Sequence, residues 1–278
     1  MNAAKITRES KSNLALAFVS LGRERRQDIT VFYAFCRVID DLADSTELDL
    51  AEKARGLAAW RGWLRQGTPD EPALARDLRD LITKYSLKPA MLDEIVDGVE
   101  MDLHHARYGT FEELRLYCYR VASAVGLVSI EIFGYRNPAC RQYAIQLGLA
   151  LQMTNIIRDV GKDLGHGRIY LPQEDLARFD YSEDDLRQKK RNASFRRLME
   201  FEAKRAHDFF ASAAALLPRE DRRSMVAAEI MRSVYQALLR RMKADGFRVF
   251  EKEYRLTRWE KSGRVAAQLL RVCLNAGR

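Results

Sequence analysis

Long apolar runs, paired cysteines and secretory features are missing from this 278-residue chain, and each absence excludes a class of protein. No run of about 18 apolar residues occurs, so we expect no transmembrane helix. The four cysteines, Cys36, Cys118, Cys140 and Cys273, form no close pair, which argues against a zinc finger and favours reduced thiols. The stretch Met1 to Ser10 is polar and lacks the apolar core of a secretory signal, so we expect a cytoplasmic location.

Proline and strand-type alternation are also scarce, which favours helices throughout. The six prolines stand between apolar segments of helical period, and no sustained period-two pattern appears. No linker rich in Gly, Ser or Pro divides the chain, so residues 1–278 are predicted to form one all-α domain. We predict helices at Ile6–Ser20, Arg23–Ala43, Leu50–Gln66, Ala73–Tyr85, Pro89–His105, Phe111–Phe133, Pro138–Asp163, Ser194–Leu217, Arg222–Lys243 and Leu256–Leu274.

The stretch Leu164–Lys190 is the least regular part of the sequence. It begins with Gly165 and Gly167 and carries runs of charge. Two interpretations stay open, namely a flap over a functional site and a plain surface loop.

The net charge of +8 is compatible with nucleic acid, an anionic membrane surface or an anionic substrate as partner. No zinc-finger spacing or aromatic-interleaved platform supports nucleic acid. The last helix places Trp259, Leu269 and Leu270 beside Arg258 and Lys261, a composition that suits peripheral contact with an anionic membrane. The simpler alternative is a helix that packs on the core and leaves its basic face in water.

Two acidic stretches carry the strongest chemical signal. Asp40 and Asp44 lie four residues apart, as do Asp159 and Asp163, so each pair projects from consecutive turns of one helix face. Like charges in this register repel, and burying them costs several kcal/mol unless a cation neutralises them. Mg²⁺ prefers such hard oxygen ligands and commonly joins carboxylates to a substrate phosphate.

Polar neighbours extend this signal. Asn155 lies one turn before Asp159, and both continue a polar stripe on an otherwise apolar helix. Arg37 and Arg158 accompany the two acidic stretches, and the planar guanidinium suits phosphate oxygens. The pattern predicts a site for a metal and a diphosphate. The alternative is a pair of ordinary surface clusters with local ion pairs.

Several longer segments are similar to those of the squalene/phytoene synthase family, in the family's order from about Ser10 to Lys261. They are Tyr33–Asp44 (YAFCRVIDDLAD), Asn155–Asp163 (NIIRDVGKD), Gly167–Pro172 (GRIYLP), Tyr117–Gly126 (YCYRVASAVG), Ile132–Gly134 (IFG) and Gly246–Phe250 (GFRVF). This resemblance implies an all-α isoprenoid-synthase bundle around a central cavity. It also implies a prenyltransferase that joins two prenyl diphosphates head to head with two or three Mg²⁺ ions.

The same resemblance implies roles for individual residues. The metal ligands would be Asp40, Asp44, Asn155, Asp159 and Asp163, and the catalytic set would be the four aspartates with Tyr117. Substrate contacts would come from Ser10, Ser12, Arg37, Gln152, Arg158, Tyr235 and Arg248. One departure is Lys162, which stands where the family usually has Glu and reduces the local negative charge.

The product is a finer question. The segments around Val99–Leu103 (VEMDL) and Tyr117–Arg120 resemble those of bacterial presqualene diphosphate synthases of the hopanoid type. This resemblance implies two farnesyl diphosphates as substrates. Going on to squalene would need a reductant, usually NADPH, for which no dinucleotide fingerprint is present. Phytoene or dehydrosqualene synthesis, with geranylgeranyl diphosphate for phytoene, is the alternative. A non-catalytic assembly factor of this fold is a remote one, since such proteins would be expected to lose the metal carboxylates.

Overall fold

The computed structural model of this chain describes Ala3, residues 17–104 and residues 106–275, except for the side chains of residues 273–275. Within these ranges the chain is built from helices, and the only strand-like pairing is an isolated bridge between Arg107 and Ile169. The predicted all-α fold is therefore confirmed. Most of the predicted helix Ile6–Ser20 lies outside the described residues.

Twelve α-helices follow one another along the described ranges. They are α1 (Arg23–Asp44), α2 (Leu50–Arg65), α3 (Ala73–Lys84), α4 (Pro89–His104), α5 (Phe111–Cys118), α6 (Ala124–Phe133), α7 (Ala139–Gly165), α8 (Gln173–Arg178), α9 (Glu183–Arg187), α10 (Ala193–Leu216), α11 (Val226–Ala244) and α12 (Arg258–Asn275). Short 3-10 turns occur at Phe18–Ser20 and Arg219–Asp221.

Most of the predicted helices are observed with small shifts at their ends. The largest shift is at α11, which begins at Val226 because the 3-10 turn Arg219–Asp221 takes up the preceding residues. The irregular stretch Leu164–Lys190 contains two short helices, α8 and α9. Short helices of this kind lack the long apolar period on which the sequence-based prediction depends.

Local capping explains where several helices begin. Asp49 accepts a hydrogen bond from the backbone N–H of Glu52, and the Glu52 side chain accepts one from the N–H of Asp49, both at 2.8 Å. Thr110 and Glu113 form the same reciprocal pair at the start of α5. These pairs satisfy N–H groups that a first turn leaves without helical partners.

A π-helical segment, Tyr119–Ser123, joins α5 to α6 and lies between α4 and α7. The Ser123 hydroxyl donates to the Ile145 carbonyl of α7 at 2.8 Å. Gly148 of α7 lies so close that a Cβ atom there would be 2.5 Å from Ser123 Cα. Glycine at 148 therefore permits the closest approach of α7 to the π segment. Such segments are rare and occur often at functional sites.

The stretch Phe111–Phe133, which comprises α5, the π segment and α6, is long and apolar enough to cross a membrane by length and composition. The expectation that the chain has no transmembrane helix therefore stays a prediction. Half of its most apolar window is buried inside the protein. A core helix meets the same criteria, so the stretch is weak evidence for a membrane span.

Replacing Gly148 by Ala should destabilise the protein, because the new methyl group meets the Ser123 backbone rather than a flexible side chain. We expect the free energy of unfolding to fall by about 1–3 kcal/mol. Gly62→Ala in α2 is the matched control, since nothing lies within 4 Å of a Cβ atom there. That substitution should be neutral or stabilising by up to about 1 kcal/mol. Urea unfolding followed by circular dichroism measures both, and equal effects would contradict the close contact.

Candidate functional site

The first acidic group lies in the last two turns of α1. Arg37 donates to Asp40 Oδ2 at 2.8 Å and also pairs with Asp41. Asp44 is the last residue of the helix. A carboxylate in this position opposes the negative end of the helix dipole. The end of α1 therefore carries three carboxylates, two of which pair with the Arg37 guanidinium.

The second acidic group lies on α7, as the sequence predicts. Asn155, Asp159 and Asp163 occupy consecutive turns, and α7 continues to Gly165, so Asp163 lies in its last turn. Arg158 donates from Nε to Asp159 Oδ1 at 2.8 Å and from Nη2 to the other carboxylate oxygen. Both acidic groups thus lie at the carboxyl-terminal ends of long helices, each beside an arginine.

Arg168 and Asp102 bring the two groups together. Arg168 follows α7 and donates to Asp44 Oδ1 of α1 at 2.9 Å, and its charge also acts to lower the pKa of Asp163. Asp102 of α4 acts on both sides, because its charge contributes to raising the pKa of Asp40 and of Asp163. The helix ends therefore face a shared space.

Asp102 was missed as a site residue in the sequence analysis. Its two carboxylate oxygens accept hydrogen bonds from Tyr117 at 2.9 Å and from Tyr170 at 2.7 Å. The two tyrosine rings stack with centroids 5.1 Å apart, and Tyr108 packs against both. The available signal was a carboxylate inside the VEMDL segment of an apolar helix. Tyr117, predicted to be catalytic, is therefore held in the site by this aspartate.

The carboxylates are held in a desolvated, mutually repelling cluster. Burial raises the pKa of Asp40 to about 6, with Asp44 and Asp41 adding to the effect and Arg37 opposing it. Burial and then Asp159 raise the pKa of Asp163 to about 7. The Asp40 side chain keeps 47% of its surface accessible despite this desolvation, as expected for a group that lines a concavity.

Lys162 has the effect expected from the sequence departure. Its positive charge acts to lower the pKa of Asp163, against the contributions of burial and of the neighbouring carboxylates. It therefore offsets part of the negative charge of the second acidic group and leaves the aspartate positions in place.

The donor set fits a hard divalent cation. Asn155 Oδ1 is buried, and no described residue donates a hydrogen bond to it, while its Nδ2 donates to Gln152 Oε1 at 3.3 Å. A buried acceptor without a donor is uncommon, and a metal ion is one way to satisfy it. Over the described ranges no three His, Cys, Asp or Glu side chains already converge as a metal site. Asp40, Asp44 and Asp159 are instead paired with arginines.

The predicted substrate contacts are distributed unevenly. Gln152 lies beside Asn155, and Tyr235 of α11 is buried and interacts with Arg158. Arg248 instead pairs with Glu251 through Nε at 2.7 Å, and none of its described contacts reaches the acidic groups. Ser10 and Ser12 lie outside the described residues. The roles of these residues stay predictions.

Apolar side chains with intermediate exposure lie in and just after the π segment. Val121, Ala122 and Val125, in and just after the π segment, are only half-buried although the segment packs between α4 and α7. Met153 of α7 is buried. Partial exposure in the interior of a bundle indicates side chains that border a hollow. Apolar surroundings of this kind exclude water from a reacting group.

The connection after α7 is fixed to residues 106–109 by backbone hydrogen bonds. The N–H of Ile169 donates to the Ala106 carbonyl at 3.0 Å, and the N–H of Gln173 donates to the Tyr108 carbonyl at 2.9 Å. These bonds place Arg168 and Tyr170 at the site. The segment 167–172, called the flap below, is therefore packed against the neighbouring segments and is not a plain surface loop, and its role over a functional site stays a prediction.

A buried charge cluster anchors the far end of the flap. Arg205 of α10 donates to Asp175 of α8 at 2.8 Å and to Glu202 at 2.7 Å, and its guanidinium lies 3.8 Å from the centroid of the Phe111 ring. Asp175 and Glu202 are almost completely buried. The cluster joins α8, which follows the flap directly, to α10 and to the first turn of α5.

Protonation of Glu202 should make stability depend on pH. Burial raises its pKa from 4.5 to about 8, although Arg205 opposes the shift. The folded state then binds this proton more tightly than the unfolded state. The resulting stabilisation is complete below about pH 4.5 and is lost as the pH rises through about 8.

Glu202→Gln should therefore flatten the decline in unfolding free energy over that range. Urea unfolding at a series of pH values measures the slope. The control is Glu200→Gln, at an exposed position two residues earlier on α10. Identical slopes in wild type and Glu202→Gln would show that the Glu202 carboxyl is already ionised in the folded protein over this pH range.

Comparison with known proteins finds the same architecture. The profile of the squalene/phytoene synthase family matches residues 7–260. A 15-cis-phytoene synthase from Synechococcus elongatus is 35% identical over 96% of this chain and 91% of its own length. A presqualene diphosphate synthase from Rhodopseudomonas palustris is also 35% identical, over 85% of each chain. The crystal structure of a dehydrosqualene synthase with a ligand superimposes with a TM-score of 0.85 at 26% identity, covering 97% of this chain and 95% of that one.

Proposed function

Because this chain belongs to the squalene/phytoene synthase family, whose members are prenyltransferases, we propose that it condenses two farnesyl diphosphates head to head to presqualene diphosphate. The observation that carries the proposal is the meeting of two acidic helix ends, at Asp44 and Asp163, across Arg168 and Asp102. A site with this charge pattern suits a metal-bound diphosphate and has no evident structural purpose.

Mg²⁺ would be held by Asp40 and Asp44 on α1 and by Asn155, Asp159 and Asp163 on α7. When bound there, it would supply positive charge that stabilises the leaving diphosphate. The unsatisfied Oδ1 of Asn155 supports this ligand set, because side-chain amide oxygens are suitable ligands for hard cations.

Three arginines of the protein would also stabilise the negative charge of the diphosphate. Arg37, Arg158 and Arg168 each pair with a proposed metal ligand. Guanidinium groups bind phosphate and carboxylate oxygens with the same geometry. Each arginine can therefore release its carboxylate partner and bind a diphosphate oxygen instead. No further positive group has to enter the site.

Breaking the allylic C–O bond leaves a carbocation that water would capture. The half-buried apolar side chains Val121, Ala122 and Val125 exclude water from the neighbouring space. Tyr117 presents an aromatic ring fixed by Asp102 and by stacking on Tyr170. Such a ring stabilises a nearby cation through its π face. The double bond of the second substrate then attacks the cation, and the cation so formed loses a proton to the released diphosphate as the cyclopropane ring of presqualene diphosphate closes.

The choice of product has two candidates. The VEMDL segment and the relative from Rhodopseudomonas palustris support presqualene diphosphate, with NADPH required only if the reaction continues to squalene. The second candidate is phytoene synthesis from two geranylgeranyl diphosphates. It is favoured by the Synechococcus elongatus relative, which matches this chain over a greater length at equal identity.

Asp40→Asn and Asp159→Asn should each lower turnover by about 10²- to 10³-fold, because one charged ligand is lost at the leaving group. The helical circular dichroism spectrum should stay unchanged. The matched control is Asp208→Asn on α10, where the aspartate pairs with Lys204 at the surface. Near-normal turnover of either site variant would rule out the ligand assignment.

An assay of the purified protein separates the two products. It is incubated with Mg²⁺ and either farnesyl or geranylgeranyl diphosphate, with and without NADPH, and the products are identified by mass spectrometry. We expect presqualene diphosphate from farnesyl diphosphate, and no such product when EDTA replaces Mg²⁺. Phytoene from geranylgeranyl diphosphate alone would establish the second candidate. No coupled product with either substrate would contradict catalysis and favour an assembly factor.

A further inference from the structure

The outer face of α12 is an exposed surface that the proposed reaction does not use. The helix packs on α11 through Val265 and Gln268, and Arg264 donates to the hydroxyl of Ser233 at 3.1 Å. The opposite face of α12 is exposed. The helix is thus anchored on one side and open on the other.

An apolar ridge runs along this open face. Trp259 is 87% exposed and Leu270 is 62% exposed, the two highest values among the described large apolar side chains. Gly263 and Ala266, both exposed, lie between them. Steps of four, three and four residues keep these positions on one side of a helix. The ridge of Trp259, Gly263, Ala266 and Leu270 leaves a large aromatic ring in water with no packing partner.

Positive charge gathers at the start of α12. Arg255, Arg258 and Lys261 lie close enough that, after burial, the two arginines contribute most to lowering the pKa of Lys261. Neither Arg258 nor Lys261 has a carboxylate partner within the described part of the chain. Arg258 flanks the ridge on one side and the exposed Arg271 flanks it on the other, at about 100° per residue.

We propose that this face of α12 docks on an anionic lipid bilayer. The ridge of Trp259 and Leu270 would enter the boundary between headgroups and acyl chains, and Arg258 and Arg271 would lie among anionic headgroups on its two sides. An apolar stripe flanked by unpaired cations matches the helices that lie in this boundary. A second copy of the same face would bring like charges together. A nucleic acid would offer no apolar depth for Leu270.

The position of α12 gives docking a structural link to the site. Ser233, which α12 contacts through Arg264, lies two residues before Tyr235 on α11, and Tyr235 interacts with Arg158. One helix therefore separates the docked face from the diphosphate-binding side chains. The docking proposal does not depend on which prenyl product is made.

Trp259 provides a direct probe in the full-length chain. Of the three tryptophans, Trp60 is buried and Trp63 is partly buried, so changes on vesicle contact report on Trp259. Vesicles of phosphatidylcholine with phosphatidylglycerol should shift its emission to the blue, and brominated acyl chains should quench it. Phosphatidylcholine alone should give neither change, and added salt should reverse both.

Two variant pairs separate docking from general effects of composition. Trp259→Ser with Leu270→Ser should lower the partition coefficient measured by vesicle flotation, whereas Leu116→Ser, at an exposed leucine of α5, should not. Arg258→Glu with Arg271→Glu should lower it by at least about fivefold per residue changed. Arg196→Glu with Arg197→Glu, at exposed positions of α10, is the control of equal net charge.

Three outcomes would overturn the proposal. One is flotation that both charge-reversal pairs reduce equally, which would indicate a diffuse effect of net charge. Another is binding without quenching by brominated chains, which would place Trp259 outside the bilayer. The third is self-association without vesicles that Leu270→Ser abolishes, which would assign the face to a second copy. Vesicle binding is measured without substrate, so its failure leaves the proposed reaction untouched.

Discussion

Repulsion among buried carboxylates is the constraint on which the site depends. Asp40 and Asp163 lie at the ends of two long helices, where the helix dipoles and neighbouring acids disfavour their charge. Guanidinium groups offset this repulsion. Arg168 acts on the ends of both helices, because it pairs with Asp44 and its charge acts to lower the pKa of Asp163. Residues of α1, α4, α7 and the flap all contribute to holding these charges together.

The sequence predicted what depends on local spacing. The period of the apolar residues located the long helices, and the four-residue steps of Asp40, Asp44, Asp159 and Asp163 located both acidic groups. It did not locate Asp102, because nothing in its own segment shows that Tyr117 and a tyrosine of the flap converge on it. Contacts between distant segments depend on tertiary packing, which periodicity does not encode.

The role of the stretch after α7 shows the same limit. Its glycines and charges suited a flap and a surface loop equally well. The packing of the stretch became visible only through backbone hydrogen bonds to residues 106–108 and through the buried cluster of Asp175, Glu202 and Arg205. The sequence around Arg205 is typical of a charged helix whose arginines face water. In the structure Arg205 instead lies against an aromatic ring and two buried carboxylates.

The wide turn at Tyr119–Ser123 has a consequence for how this protein can vary in length. This turn holds about one residue more than an α-helical turn, so a single-residue deletion within it can restore ordinary α-helix and leave α6 facing the same neighbours. A deletion early in α6 has no such extra residue to remove, so it would rotate the following residues by about 100° and turn Ile130 away from the interior. The tolerance of this segment to a change in length is therefore confined to one turn.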